Sequence, residues 1–269
     1  MTRQGESDDL ESCLHPGVRE VFRDESLWVL DKPAGVLSHP NPPGRSAPNA
    51  LLRGSYDFRD ESYELSAPGN AGTRVFLAHR LDQETSGLIL CALDEETAAR
   101  LQMALAEREV LKEYRALVLG RPSPPRGEWA DLLEKTSQGG RVTVKASRGR
   151  PNAVTRYAAL KTFEPSGLSL LALWPQTGRT HQLRVQCALR GLPIAGDERY
   201  GDFRANRFLA TAIGLKRMFL HALRIELRHP RTGHVLKLQA PLRTRLSAPL
   251  EKLKDLLEPV PRRDSRRGS

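Results

Sequence analysis

The chain has 269 residues, 39% of them hydrophobic, enough to bury one large core or two small ones. A net charge of +10 favours a polyanionic partner such as RNA, DNA or an acidic membrane surface, although a soluble enzyme that is merely basic shows the same balance equally well. No apolar run approaches the roughly 20 residues needed to span a bilayer, and the three cysteines, Cys13, Cys91 and Cys187, have neither zinc-knuckle nor disulfide-framework spacing.

Residues 1–14 are acidic and polar (Glu6, Asp8, Asp9, Glu11), unlike a signal peptide, so a cytoplasmic protein with a mobile N-terminus is expected. Residues 15–258 show no internal repeat and no linker, and read as a single domain. Strand signals fall over 26–30 and 87–92; between them, 41–73 is rich in Asn, Ser, Gly and Pro and reads as a loop that selects substrate. Asp94 caps a helix running to about Glu109, with Glu95 and Glu96 set against its dipole and Ala98, Leu101 and Leu105 as its apolar stripe. Further strands follow over 113–119, 141–145 and 168–174, with turns at 122–125 and 137–140, and Cys91 and Cys187 read as small core residues. A second helix is expected from Thr180 as N-cap to Gly191 as C′. Strands over 219–227 and 235–239 flank a turn at 229–234, and the first of these alternates apolar and charged residues. Residues 259–269 form a basic mobile tail (Arg262, Arg263, Arg266, Arg267) that either adds phosphate contacts or is simply solvated. Strands joined by short turns, with occasional helices, indicate an α+β fold with a mainly antiparallel sheet.

The second helix contains an anomaly. At about 100° per residue, Leu183, Val185, Cys187, Ala188 and Leu189 cover an apolar arc, and Arg184 projects inside it, while Gln182, Gln186 and Arg190 occupy the side expected to face water. An unpaired buried guanidinium is costly, so Arg184 calls for a carboxylate; an architectural ion pair, or an arginine snorkelling to the rim, explains the pattern as well. The attractive partner is Asp82, in the segment His79-Arg80-Leu81-Asp82-Gln83-Glu84-Thr85-Ser86-Gly87-Leu88-Ile89-Leu90, where a turn runs into an apolar strand and leaves a side chain accessible. A carboxylate held by arginine is fixed in orientation and favoured in its charged form, which suits a nucleophile or a base. Glycoside hydrolysis usually takes two carboxylates, one of them protonated. Glu84 reads equally as a solvated charge or a cap, so a lone aspartate fits rearrangement at a glycosidic centre better.

These residues and others along the chain resemble the RluA-type RNA pseudouridine synthases. The 79–90 segment is similar to the family's catalytic motif, in which the aspartate is essential. Leu27-Trp28-Val29-Leu30-Asp31-Lys32-Pro33-Ala34-Gly35-Val36, followed by His39-Pro40, resembles the first motif, and Lys112-Glu113-Tyr114-Arg115-Ala116 the segment whose tyrosine stacks on the target base. A tyrosine at a strand start is otherwise most often core. Thr177-Gly178-Arg179-Thr180-His181-Gln182-Leu183-Arg184-Val185 resembles the motif whose second arginine pairs with the catalytic aspartate. Pro193-Ile194-Ala195-Gly196-Asp197, Tyr200-Gly201 and Leu220-His221-Ala222 complete the set and by themselves read as turns and strand starts. Gln186 departs from the family, which usually has His there.

The resemblance implies a pseudouridine synthase catalytic fold with a mixed, mainly antiparallel central sheet and flanking helices. It implies isomerisation of specific uridines in ribosomal or transfer RNA by base flipping, glycosidic cleavage, base rotation and C–C bond formation. Asp82, Arg184 and Tyr114 are then the catalytic residues, and Arg80, Leu183, His79, Thr85 and Arg179 bind substrate, with Arg80 entering the RNA stack. No cofactor, metal or membrane is expected, and the enzyme is expected to meet RNA as a monomer. Many members carry an N-terminal S4 domain; too few residues precede Leu27 for even a small domain, so target choice is expected to rest on the catalytic domain and its loops. Competing readings are a hydrolase using Asp82 and Glu84, which releases uracil, a noncatalytic RNA-binding protein, and a metalloenzyme built on His79, His181 and His221, for which no acid cluster is evident.

Overall fold

A computed structural model of the chain describes residues 10–40, 49–66, 71–138 and 141–255. Strand β1 (Arg19–Arg23) turns back into β2 (Leu27–Lys32) through Asp24, whose Oδ1 accepts from the amides of Ser26 and Leu27 at 2.8 Å each. Short strands β3 (Gly54–Asp57), β4 (Ser62–Leu65) and β5 (Arg74–Leu77) meander towards β6 (Ser86–Ala92). Helix α1 (Glu95–Ala106) starts where Asp94 accepts from the amide of Thr97 at 2.8 Å. Strands β7 (Leu111–Leu119), β8 (Arg126–Gln138), β9 (Arg141–Ser147), β10 (Ala153–Phe163) and β11 (Leu168–Pro175) follow. Helices α2 (Gln182–Leu189) and α3 (Phe203–Ala212) precede the hairpin of β12 (Leu220–Arg228) and β13 (Val235–Gln239), and α4 (Thr244–Asp255) ends the described chain.

Among the described residues thirteen strands form one sheet in the order β3-β4-β5-β6-β12-β7-β11-β10-β8-β9, with β2 on β6, β1 on β2 and β13 on β12. Strand β2 is buried on both faces, which explains its unbroken apolar run: Leu27 and Val29 enter the core under α1, Trp28 and Leu30 the core beneath β4 and β5. Helix α2 lies over Leu81, Tyr114, Leu171 and Leu173, while Leu209 and Ile213 of the α3 region pack on Leu246, Leu250 and Leu253 of α4.

One ladder between named strands is parallel. Ser86 and Gly87 of β6 pair with His221 and Ala222 of β12. Because β2 fills one edge of β6 along its length, β5 and β12 share the other, and the loop from β5 to β6 enters the sheet beside the start of β12. This junction requires Gly87: its φ is +110°, and a Cβ there would lie 2.2 Å from the carbonyl oxygen of Ala222.

The α+β reading with a mainly antiparallel sheet holds, as do the Asp94 cap and the burial of Cys91 and Cys187. Several details differ. Residues 1–9 of the expected mobile N-terminus lie outside the described residues, and from Leu10 on the chain is packed: Cys13 is fully buried and Leu14 bridges Leu52. Part of the expected loop forms strands β3 and β4, which lead into β5, while 41–48 and 67–70 lie outside the described residues, as do 256–269 with the basic tail. Strand β8 has 13 residues where short strands were expected, and residues 137–138 of the expected turn belong to it. Strands β1 and β10 and helices α3 and α4 have no counterpart in the sequence reading; α4 contains Pro249, which disguises it.

Gly87→Ala is expected to destabilise the fold by about 3 kcal/mol or more, since a clash with backbone has no flexible side chain to yield. Urea denaturation checks it, and a loss below about 1 kcal/mol would show that the parallel junction tolerates a Cβ.

Candidate active site

Asp82 lies in the β5–β6 loop, and the loop's backbone is fastened on every side. The Ser38 hydroxyl accepts from the amide of Leu81 at 3.0 Å and donates to its carbonyl at 2.8 Å, and the Tyr63 hydroxyl donates to the carbonyl of Ser38 at 2.8 Å. The amide of Thr85 closes a turn onto the carbonyl of Asp82 at 3.1 Å. Lys32, fully buried, donates to the carbonyls of Gln83, Pro33 and Val36 at 3.1, 3.1 and 2.7 Å. Burial pulls its ammonium down to about 7, opposed by the charges of Glu84 and Asp82. Three carbonyls also demand three N–H donors, which only the ammonium form supplies. From the other side, Arg217 donates to the carbonyl of Glu84 at 3.2 Å and to the Ser86 hydroxyl at 3.0 Å. His221 Nε2 faces the carbonyl of Ala240 at 2.7 Å and so carries the hydrogen, leaving Nδ1 to accept from Ser86 at 2.8 Å.

Helix α2 brings Arg184 to this loop. The guanidinium reaches Asp82 Oδ2 through Nη1 at 3.2 Å, but its stronger partner is Asp197, met in a fork through Nε at 2.7 Å and Nη2 at 2.8 Å. Sequence reasoning paired Arg184 with Asp82; the bidentate partner is a carboxylate read only as part of a turn. Burial alone would raise the Asp197 carboxyl, but hydrogen bonding and charge from Arg184, with the amides of Arg199 and Tyr200 at 2.8 and 3.1 Å, bring it below the ordinary carboxylate value. Asn206 of α3 locks the same turn, donating to the carbonyl of Asp197 at 2.9 Å and accepting from the amide of Gly196 at 2.7 Å. The Tyr200 ring lies 5.2 Å from the guanidinium, and its hydroxyl bonds His181 Nδ1 at 2.8 Å. His181 holds a left-handed φ of 52° at the N-cap position expected for Thr180.

Two carboxylates thus share one guanidinium, and the division is unequal. Asp197 takes the fork and is fully buried; the Asp82 side chain is 23% exposed, and its Oδ1 makes no hydrogen bond among the described residues. Asp82 is therefore oriented through one oxygen with the other left open. Beside it, Tyr114, Leu81 and Leu183 belong to one buried apolar cluster. Burial, then the charge of Asp82, pushes the Tyr114 hydroxyl up, so it stays protonated at neutral pH.

The remaining predicted residues lie further out. His79 Nε2 accepts from the amide of Leu90 at 3.1 Å, and burial with the Lys112 charge pulls the imidazole down to about 3, so it is a neutral backbone brace. Thr85 is buried. Arg80 is exposed, its guanidinium 3.1 Å from His39 Nε2 and 3.7 Å from Glu61. Arg179 is anchored at its amide by the Gln182 side chain at 3.0 Å and reaches the carbonyl of Asn152 at 3.3 Å. The supposed wet side of α2 is a correction: Gln182 and Gln186 are buried. Gln182 binds Thr177, Thr155 and the carbonyl of Val154, and Gln186 binds Thr155 at 2.6 Å and Asp131 at 2.8 Å. Leu189, assigned to the apolar arc, is exposed. Long amides look alike on a helical wheel whether they face water or a sheet's polar atoms.

Asp197→Asn is expected to cost about 3–5 kcal/mol in urea denaturation at pH 7, because it leaves a buried guanidinium without its main partner. The Asp197 carboxyl titrates lower in the folded chain than the ordinary value of about 3.9. Its contribution is therefore complete above pH 4 or so and is lost as pH falls through the lower folded value, so the gap between variant and wild type closes in acid. A gap that persists unchanged to pH 2 would show that the fork is not its source.

A family model described as RNA pseudouridylate synthase matches residues 26–189. Ribosomal large subunit pseudouridine synthase C of Escherichia coli is 34% identical over 237 residues, covering 87% of this chain and 70% of that protein. The protein of the same name from Yersinia pestis is 36% identical over 228 residues, covering 84% of this chain and 66% of its own length. Among solved structures, human RNA Pseudouridylate Synthase Domain Containing 4 superposes with a TM-score of 0.64 at 25% identity, covering 93% of this chain and 95% of that one. With the family model spanning the loop of Asp82, the strand of Tyr114 and the helix of Arg184, the chain belongs to the RNA pseudouridylate synthase family and is an RNA pseudouridine isomerase.

Proposed function

We propose that this enzyme converts specific uridines of ribosomal RNA to pseudouridine, with Asp82 as the reacting carboxylate. The observation that carries the reading is the state of that side chain: one oxygen braced by an arginine whose position Asp197 fixes, the other unengaged, beside the ring of Tyr114. The bacterial relatives are named as large-subunit ribosomal enzymes, which favours ribosomal over transfer RNA.

The reaction needs no outside reagent. The N1–C1′ bond of uridine breaks, the base turns, and a C5–C1′ bond forms; C5 gives up one proton and N1 gains one. As N1 leaves, C1′ becomes electron-poor, and the Asp82 carboxylate stabilises or captures it. The same carboxylate is then placed to accept the proton from C5. Tyr114 offers a flat, undissociated face to the turning base, and Leu183 supplies an apolar wall. The glycosidic carbon is inaccessible in a helix, so the uridine must be flipped out at a cost of a few kcal/mol. Arg80, exposed two residues before Asp82, fills the vacated place, and Arg179 meets phosphate. His79 and Thr85 act through the shape of the loop, since their bonded polar atoms serve the backbone.

Asp82→Asn is expected to abolish pseudouridine formation in ribosomal RNA while leaving the melting temperature and RNA affinity largely intact. Glu84→Gln should retain most activity and release no uracil. Turnover by purified Asp82→Asn would sink the assignment. Mapping pseudouridine in total RNA from cells with and without the gene identifies the target, and a lost site confined to transfer RNA would overturn the ribosomal reading.

RNA affinity should fall with salt with a slope of about −0.7 for each phosphate contact on single strands. Titrations between 50 and roughly 200 mM salt check this, and a flat response would be incompatible with RNA binding by a surface of this charge.

A further inference from the structure

The outer face of α3 has no task in the chemistry above. Its inner side is fully used: Leu209 enters the core against α4, and Asn206 clasps Gly196 and Asp197. Facing outwards are Phe203 and Phe208, 67% and 69% exposed, the two most exposed large apolar side chains of the described protein. Arg204 and Arg207 lie between them, both exposed, and neither pairs with a carboxylate among the described residues.

Helical spacing orders these four side chains. Phe203 and Arg207 stand four residues apart on one ridge, and Arg204 and Phe208 on the next, so aromatic and guanidinium groups alternate across the face. The Arg207 guanidinium already covers the Phe203 ring at 4.9 Å, which shows that a flat cationic group fits that ring. Five residues of helix separate the two rings by about 7.5 Å along the axis. A face made of two rings and two unpaired guanidiniums suits a ligand with flat π-surfaces joined by anions. It fits an apolar protein partner poorly, since that partner would have to bury both charges.

We infer that this face is a stacking platform for unpaired RNA nucleotides next to the target uridine, bases lying on Phe203 and Phe208 and phosphates meeting Arg204 and Arg207. The inference rests on the RNA-modifying reading above and extends it to the path of the strand. It also joins the platform to the reaction centre, because Asn206, on the same helix, fixes the turn that holds Arg184 beside Asp82.

The test is a fluorescence-anisotropy titration of a labelled 15-nucleotide oligouridylate against the full chain, run at several salt concentrations. Replacing both rings (Phe203→Ser with Phe208→Ser) should weaken binding at least 10-fold and leave the salt slope unchanged, since stacking involves no counterion release. Replacing both arginines (Arg204→Gln with Arg207→Gln) should weaken binding and lower the slope by about 1.4. Phe203→Tyr with Phe208→Tyr should bind like wild type, which separates loss of a ring from loss of fold. Serine variants that bind like wild type would overturn the platform. So would serine variants that change the oligomeric state in light scattering without altering RNA affinity, which would make the face a contact between copies. A wild-type protein that does not bind the oligonucleotide would strike the RNA reading itself, and the platform with it.

Discussion

The geometry of this protein depends on the fork between Arg184 and Asp197. A guanidinium on the apolar side of a helix is tolerable only with its hydrogens engaged, and Asp197 engages two of its nitrogens from a fully buried position. With that pair satisfied, the remaining edge of the guanidinium can face Asp82 without being claimed by it. Had Asp82 been the sole partner, a bidentate bond would have occupied both its oxygens and spread its charge over the arginine. The third party keeps orientation and reactivity in separate hands.

The loop around Asp82 obeys a similar logic. It is held by its backbone: Ser38 at Leu81, Lys32 at Gln83, Arg217 at Glu84. The side chains of Asp82, Gln83 and Glu84 are thereby left outside the core, and the cationic groups that grip the carbonyls also offset the negative charge of the site. The reaction proposed for Asp82 needs little motion from the protein and much fixity, because in it the carboxylate is placed before charge develops on the sugar.

Much of this was legible in the sequence, and the exceptions have physical reasons. The Asp94 cap, the apolar runs of β2 and β6 and the misplaced arginine of α2 are local signals, and each describes a feature of the fold. The partnership of Arg184 with Asp197 is not local in pattern, since a carboxylate in a Gly-Asp turn looks the same whether it faces water or a guanidinium. Gln182 and Gln186 misled for a related reason: polarity marks a need for hydrogen bonds, and β8 and β10 supply them as well as solvent does. Lys32 was invisible because lysines are rarely buried, and only the three carbonyls converging on it explain its position. The β3–β5 meander hid behind turn-like composition, its strands being too short to show alternation.

The short parallel pairing of β6 with β12 sets the order in which the molecule can be completed. Ser86 meets a histidine 135 positions later in the chain, and Asp82 an arginine 102 positions later. Contacts of such separation form late, after the costly closure of long stretches of chain. A polypeptide emerging from the ribosome holds Asp82 early, yet that carboxylate stays unbraced until α2, the Asp197 turn and the first residues of β12 have arrived. The brace on that carboxylate is therefore withheld from any chain that lacks those later elements.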